Sequence, residues 1–281
     1  MPRLSVYANF CPMGVSVDTY QGCSHRCRYC YYDDRNTAMQ DVAFDEGVKD
    51  VQRFIRGERT PELAHIPAGY PLRLGRFSDP FQPCEAVHRR SLAVLKCMRA
   101  SGYPFAFTTK GILASSPEYL AELHDCNVVG QVSLTAPSMD RLEPGAPSYL
   151  ERLVILWKLS KVCRRVIARA QPIFFDREHV DEFIGTLDDV AQAGVYGVLV
   201  EAMAQGHANG HGSRSMDLPH YTLLEIVHYG KIIRDQVHAR GLKFFSGDVC
   251  MRHLGPALVS DSPICCGWGG LPGFDPAAAA S

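Results

Sequence analysis

Val15-Ser16-Val17-Asp18-Thr19-Tyr20-Gln21-Gly22-Cys23-Ser24-His25-Arg26-Cys27-Arg28-Tyr29-Cys30 begins as a short alternating β-rich run and ends as a loop with three cysteines in eight residues. The spacing Cys23-x-x-x-Cys27-x-x-Cys30 puts three thiols on one loop, and Gly22 lets the chain turn into it. Three thiolates so placed can hold three irons of a cubane [4Fe-4S] cluster and leave the fourth without a protein ligand. A closed metal site is structural; one with an open position can bind and reduce a small molecule. A zinc knuckle is the competing reading, with His25 available as a fourth ligand. Structural zinc sites usually pair two such hairpins, however, and no second Cys-x-x-Cys hairpin exists in this sequence. A group of buried, unreactive thiols is the third.

Outward from the loop, the composition sets bounds. The chain has 281 residues, enough for one large α/β domain with a substantial core. Its 29 basic and 30 acidic side chains leave a net charge of −1, so no polybasic arm or electrostatic funnel marks it as a nucleic-acid binder. A local patch such as Arg164, Arg165 and Arg169 would be split between faces by strand alternation. Eleven cysteines, an odd number without a secreted disulfide spacing, fit a reducing cytoplasm. The start Met1-Pro2-Arg3-Leu4 has no basic-then-apolar signal segment, and no run approaches the ~18 apolar residues of a membrane span.

Short β-rich runs alternate with amphipathic segments along the chain. Strands are expected at Val15–Thr19, Leu72–Phe77, Phe105–Thr109, Val128–Leu134, Val166–Ile173, Tyr196–Val200 and Lys243–Phe245. Between them lie expected helices at Asp45–Arg56, Glu85–Ser101 (stopped by Gly102), Pro117–His124 (capped by Ser116), Tyr149–Cys163, His179–Ala193 and Pro219–Ala239. Strict alternation predicts parallel strands joined by right-handed crossovers: an α/β fold, a partial (β/α)6 barrel of TIM type. The barrel is expected over residues 1–245, with an irregular cysteine-containing tail, 246–281, packed on it and its last residues disordered. On such a barrel the C-terminal strand ends form the reactive face.

The cysteine spacing with Tyr29 before the last thiol resembles the signature loop of the radical S-adenosylmethionine (SAM) superfamily. The cluster loop followed by Tyr31-Tyr32, the run Ser78-Asp79-Pro80-Phe81-Gln82-Pro83 and the strand end Thr108-Thr109-Lys110 are similar to the spore photoproduct lyase branch, over roughly Val15 to Gln171. The resemblance implies that SAM chelates the open iron and is cleaved reductively to methionine and a 5'-deoxyadenosyl radical, which abstracts a substrate hydrogen. It implies SAM contacts for Lys110 and Ser133. It also implies an external electron donor such as flavodoxin or ferredoxin. The lyase carries a hydrogen-donating cysteine just before its Ser-Asp pair; here that neighbourhood reads Gly75-Arg76-Phe77. A small-molecule or peptide substrate is therefore expected, with DNA lesion repair and a non-catalytic redox or iron–sulfur role as alternatives.

Read residue by residue, the strand ends carry the expected site. Ser78 and Asp79 can meet the amino group of SAM or form an ordinary turn. Lys110 can pair its carboxylate as a point charge or be a solvated surface lysine. Ser133 and Thr135 share a face with Gln131, where hydroxyls can bond the ribose. Arg169, inside a strand with Gln171, needs an acidic partner or a ligand. Glu201 can orient a ligand or pair with Arg169. Tyr29 is expected against the adenine.

Four further thiols are candidate catalytic groups. Cys84 opens a predicted helix whose dipole would lower its pKa. Cys250, Cys265 and Cys266 can serve a second iron–sulfur cluster, donate hydrogen to a substrate radical, or be buried structural thiols. Cys11, Cys97, Cys126 and Cys163 read as core residues. The Gly206-His207-Ala208-Asn209-Gly210-His211-Gly212-Ser213-Arg214 loop reads as a substrate lid or a solvated loop; a metal site at His207 and His211 is the weaker reading, since a coil does not fix their spacing as a helix would.

Overall fold

The computed structural model describes residues 3–4, 15–30, 45–202, 221–247, 260–261, 267–269 and 271. Cys11, Tyr31, Tyr32, the 206–214 loop, Cys250, Cys265, Cys266 and the expected disordered end of the tail lie outside these.

Eight strands form one sheet in chain order. They are β1 (Arg3–Leu4), β2 (Val15–Val17), β3 (Leu72–Leu74), β4 (Phe105–Thr109), β5 (Val128–Ser133), β6 (Arg165–Ile173), β7 (Gly197–Ala202) and β8 (Lys243–Ser246). β1 pairs antiparallel with β2, and every later neighbour is parallel. The seven parallel strands make an open sheet of the partial-barrel kind, because among the described residues β8 pairs with β7 and not with the first strands.

Helices α1 (Asp45–Ile55), α2 (Glu85–His88), α3 (Arg90–Ser101), α4 (Pro117–Leu123), α5 (Tyr149–Leu159), α6 (Arg177–Gln192) and α7 (Leu223–Ala239) occupy the crossovers. Three of them, α5, α6 and α7, start where the N-cap side chain accepts from a first-turn N–H, whereas Ser116 at the start of α4 makes no such bond. Ser148 with Glu151, and Thr222 with Glu225, form capping boxes, and Asp176 caps α6. Strands buried on both faces read as apolar runs rather than alternations, and all six residues of β5 are buried.

Two expected elements end differently. The helix expected over Glu85–Ser101 is broken at Arg89, which takes φ 53° and ψ 29°. The buried Glu85 carboxylate receives the backbone N–H of Ser91 (3.0 Å) and Leu92 (2.9 Å), acting as the N-cap of a new helix. The strand expected to reach Phe77 stops at Leu74. Asp18 Oδ1 gathers the N–H groups of Arg76, Phe77 and Ser78 at 2.7, 2.8 and 3.1 Å, which curls the chain away from the ladder.

The sheet separates two cores. The larger lies between strands and helices. The smaller fills the concave side: Ala106, Val129, Ile167, Leu199 and Phe245, with Trp268 from the C-terminal segment fully buried among them. Arg165, at the start of β6, donates to the carbonyls of Gly267 (2.8 Å) and Gly269 (2.6 Å) and stacks on Tyr196. This apolar layer forms a floor near the N-terminal strand ends.

Candidate functional site

Directly above the floor, the next inward residues are polar and joined across five strands. Arg73 donates to Thr108 (3.0 Å), Thr108 to Gln131 (3.0 Å), and Arg169 to both Gln131 (3.1 Å) and Gln171 (2.5 Å). Arg169 closes the row on Glu201 at 2.8 Å. Of the two roles open to Arg169 and Glu201, the ion pair is the one they adopt here. Both are buried, so each charge has the partner that burial demands.

The cysteine loop crosses the C-terminal strand ends. Gly22 takes φ 83° as the chain enters it. Gln82 grips the loop from one side, accepting from Ser24 N (2.9 Å) and donating to Gly22 O (3.2 Å). On the other side, Arg28 N donates to Leu142 O (2.8 Å) and Gly145 N to His25 O (3.0 Å). A Cβ at Gly145 would stand 2.2 Å from Ser24 O, so only glycine permits this approach.

His25 and Asp79 pin the loop to the sheet. The His25 Nδ1 lies 3.0 Å from Gly145 O and its Nε2 2.9 Å from Asp79 Oδ2. Each ring nitrogen lies within hydrogen-bond distance of an oxygen of the fold, and both are engaged by the chain. His25 is thus spoken for in the fold rather than standing by as a fourth zinc ligand. The Asp79 carboxylate also accepts from Phe81 N, Thr109 Oγ1, Lys110 N and Gly111 N at 2.8, 2.7, 2.6 and 3.2 Å. Burial alone would raise its pKa, but the His25 charge and these donors hold it below the usual range. Asp79 is filled by its own chain, and Ser78 turns its N–H and hydroxyl to Asp18.

Cys23, Cys27 and Cys30 are unpaired and partly buried. Burial, with Asp79 nearby, pushes the Cys23 thiol up to about 12. Burial raises Cys27 to about 11, against the opposing charge of Lys110. Binding a metal at such thiols would release their protons. Among the described residues no three His, Cys, Asp or Glu side chains surround a single metal-ion position. A cubane asks for something else, one thiolate per iron, and three thiols on one clamped loop meet that demand.

Tyr29 and Lys110 meet at a carboxylate that the sequence reading passed over. Glu143, 2% exposed, accepts from the Tyr29 hydroxyl, pairs with Arg152 Nη1 at 2.5 Å and lies 3.7 Å from Lys110 Nζ. Arg152 also binds Asp140 and donates to Ser133 O (3.2 Å). The Lys110 ammonium stands 5.6 Å from the Tyr29 ring centroid, its side chain 13% exposed. Among the described residues no acceptor lies within hydrogen-bond distance of Nζ. Thr135 Oγ1 is buried and likewise without a partner. An ammonium and a hydroxyl with open hydrogen-bonding capacity beside the thiol loop suit a carboxylate-bearing, hydroxylated ligand such as SAM.

Cys84 departs from expectation. Its helix α2 has only four residues, too short for a useful dipole, and burial together with the Glu85 carboxylate pushes the thiol up to about 11. Cys126 and Cys163 are buried, as core residues should be, whereas Cys97 is partly exposed. Glu143 and Asp18 were the residues missed. Asp18 falls inside the strand expected over Val15–Thr19 and becomes a strand-end acid only because β2 stops at Val17; Glu143 follows a 3-10 turn, Pro137–Leu142, that no hydrophobic period announces.

No protein-family model matches the chain. Uncharacterized proteins of Mycobacterium tuberculosis and Mycobacterium bovis are each 28% identical over 204 residues, 67% of this chain and 58% of theirs. The chain thus spans under two thirds of those relatives. Among solved structures, spore photoproduct lyase complexed with dinucleoside spore photoproduct aligns with TM-score 0.63 and 15% identity over 88% of this chain and 78% of that one. Streptococcus suis SuiB bound to S-adenosylmethionine aligns with TM-score 0.59 and 13% identity over 83% of this chain and 49% of that one. SuiB bound to precursor peptide SuiA gives 0.60 and 14%, over 83% and 48%. The chain therefore has the fold of spore photoproduct lyase and SuiB, the architecture that its resemblance to the spore photoproduct lyase branch implies.

Proposed function

We propose that this chain is a radical SAM enzyme, with Cys23, Cys27 and Cys30 as the protein ligands of a [4Fe-4S] cluster and SAM as its cosubstrate or cofactor. The observation that carries the reading is the clamped three-thiol loop at the C-terminal mouth of a parallel barrel, beside a partly buried ammonium with no hydrogen-bond acceptor among the described residues. When bound, the cluster and SAM supply an electron and a carbon-centred radical strong enough to take hydrogen from an unactivated C–H bond.

The chain's own residues bind, orient and exclude. Lys110 offers its N–H donors to the methionine carboxylate, and Thr135 its hydroxyl to the ribose. Ser133 lies in the same mouth, and Tyr29 presents an aromatic wall. Asp79 and Ser78 act through the loop and the turn they hold. The Arg73–Thr108–Gln131–Arg169–Glu201 row forms the polar base on which a substrate would rest, above a floor closed to water by Trp268. Holding the substrate C–H against the reacting carbon is the protein's share of the catalysis.

The substrate is a small molecule or a peptide. The SuiB structure with its precursor peptide supports the peptide class, and the net charge of −1 gives no support to DNA. Lesion repair would reveal itself as salt-sensitive DNA binding. A reducing cytoplasm and a donor such as flavodoxin or ferredoxin complete the proposal; among the described residues no helix is long and apolar enough to cross a membrane.

The test is anaerobic reconstitution with iron, sulfide, SAM and reductant. The reading requires 5'-deoxyadenosine, and label transfer into it from a deuterated substrate identifies the target. Four irons bound without any SAM cleavage would leave a non-catalytic iron–sulfur protein.

A further inference from the structure

Glu143 has no place in the ligand set just described, yet three elements of the mouth converge on it. Its partners are Tyr29 from the cysteine loop, Lys110 from the end of β4 and Arg152 from α5. Their contacts differ in kind. Tyr29 donates a hydrogen bond, and Arg152 sits at 2.5 Å, itself fixed by Asp140 and by the Ser133 carbonyl. Lys110, at 3.7 Å, is within ion-pair range but beyond hydrogen-bond range.

The arrangement has a physical consequence. Arg152 holds the carboxylate back, so its charge draws the Lys110 ammonium to one place without filling its N–H groups. Burial pushes the Glu143 carboxyl up and the adjoining Arg152 guanidinium pulls it back down; counted by formal charge, Glu143 and Asp140 stand against Arg152 and Lys110. The pairing holds the partly buried ammonium over the Tyr29 ring, 5.6 Å from its centroid, with its donors open.

We propose that Glu143 is the positioning residue for Lys110 and Tyr29 in SAM binding: it touches neither cluster nor SAM and sets where the ammonium meets the methionine carboxylate. This rests on the radical SAM reading above. Its counterpart on the rim, Asp79, has every lone pair directed at the chain itself, and so shows what a purely architectural carboxylate looks like here.

The experiment compares wild type, Glu143→Gln, Lys110→Met and the double variant, each reconstituted anaerobically, by iron content and by equilibrium dialysis against labelled SAM. Glu143→Gln should keep four irons and raise the SAM Kd about ten- to a hundred-fold, the size of one lost charge-assisted contact. Lys110→Met should do the same, and the double variant should be no worse than either alone, because both remove one interaction. Additive losses, an unchanged Kd or a tighter one in Glu143→Gln would overturn the assignment. Should Glu143→Gln fail to load iron, Tyr29→Phe decides. It frees one hold on Glu143 and should raise the Kd several-fold with iron intact; no change there overturns the proposal. Wild type that loads four irons but binds no SAM would instead sink the functional reading itself.

Discussion

The two ends of the barrel are built from opposite materials. At the N-terminal end, Ala106, Val129, Ile167, Leu199, Phe245 and Trp268 close the interior with apolar side chains, and the backbone carbonyls of the tail are taken by Arg165. At the C-terminal end, thiols, two buried carboxylates, a guanidinium and an ammonium share the space, and some of their hydrogen-bonding capacity is open. The same strands serve both, because residues two apart on a strand face the same side: Val129 belongs to the floor, Gln131 to the polar row and Ser133 to the rim. Stability is concentrated below and chemistry above.

The sharpest break of this contrast is at the thiols. Replacing Cys23, Cys27 or Cys30 with Ala should abolish iron retention, measured by iron and sulfide content after gel filtration. The urea midpoint of the metal-free chain should move by much less, since these partly buried thiols form no disulfide. Trp268→Ala should do the reverse. It opens a cavity in the floor at a cost of about 3–5 kcal/mol, read from urea unfolding, while the folded fraction still loads iron.

His25→Ala tests the bridge between the two behaviours. It leaves the buried Asp79 without its imidazole partner, which should cost about 3 kcal/mol, and it loosens the loop enough to lower iron loading as well. A change in only one of the two readouts would separate the clamp from the metal site. The smallest expected effect is the outer layer's own. Ser148→Ala removes the capping box of α5 and should cost about 1 kcal/mol with iron binding unaffected.

These contrasts also show what the sequence could and could not reveal. Alternation of strands and helices, and the position of Lys110, Ser133 and Glu201 at strand ends, follow from local periodicity, and the seven parallel strands fall where that periodicity puts them. The Arg169–Glu201 pair was legible because a strand-interior arginine must find a partner. The break at Arg89 was hidden, because it depends on Glu85 reaching forward to Ser91 and Leu92 in three dimensions. Asp79 and His25 read as ligand candidates for the same reason: both types bind metals and cofactors, and only the fold shows that their acceptors and donors meet each other. Glu143 lies in a short turn between β5 and α5, where no period operates, and its importance comes from side chains 9 to 114 residues away.

The central claim is that three thiolates leave one iron of a cubane open to SAM. Mössbauer spectroscopy of protein reconstituted with 57Fe, recorded before and after SAM addition, tests it most directly. The account predicts four irons per chain and, on adding SAM, a changed signal from one of them with the other three unaffected. Four irons indifferent to SAM, or zinc in place of iron on these cysteines, would contradict it.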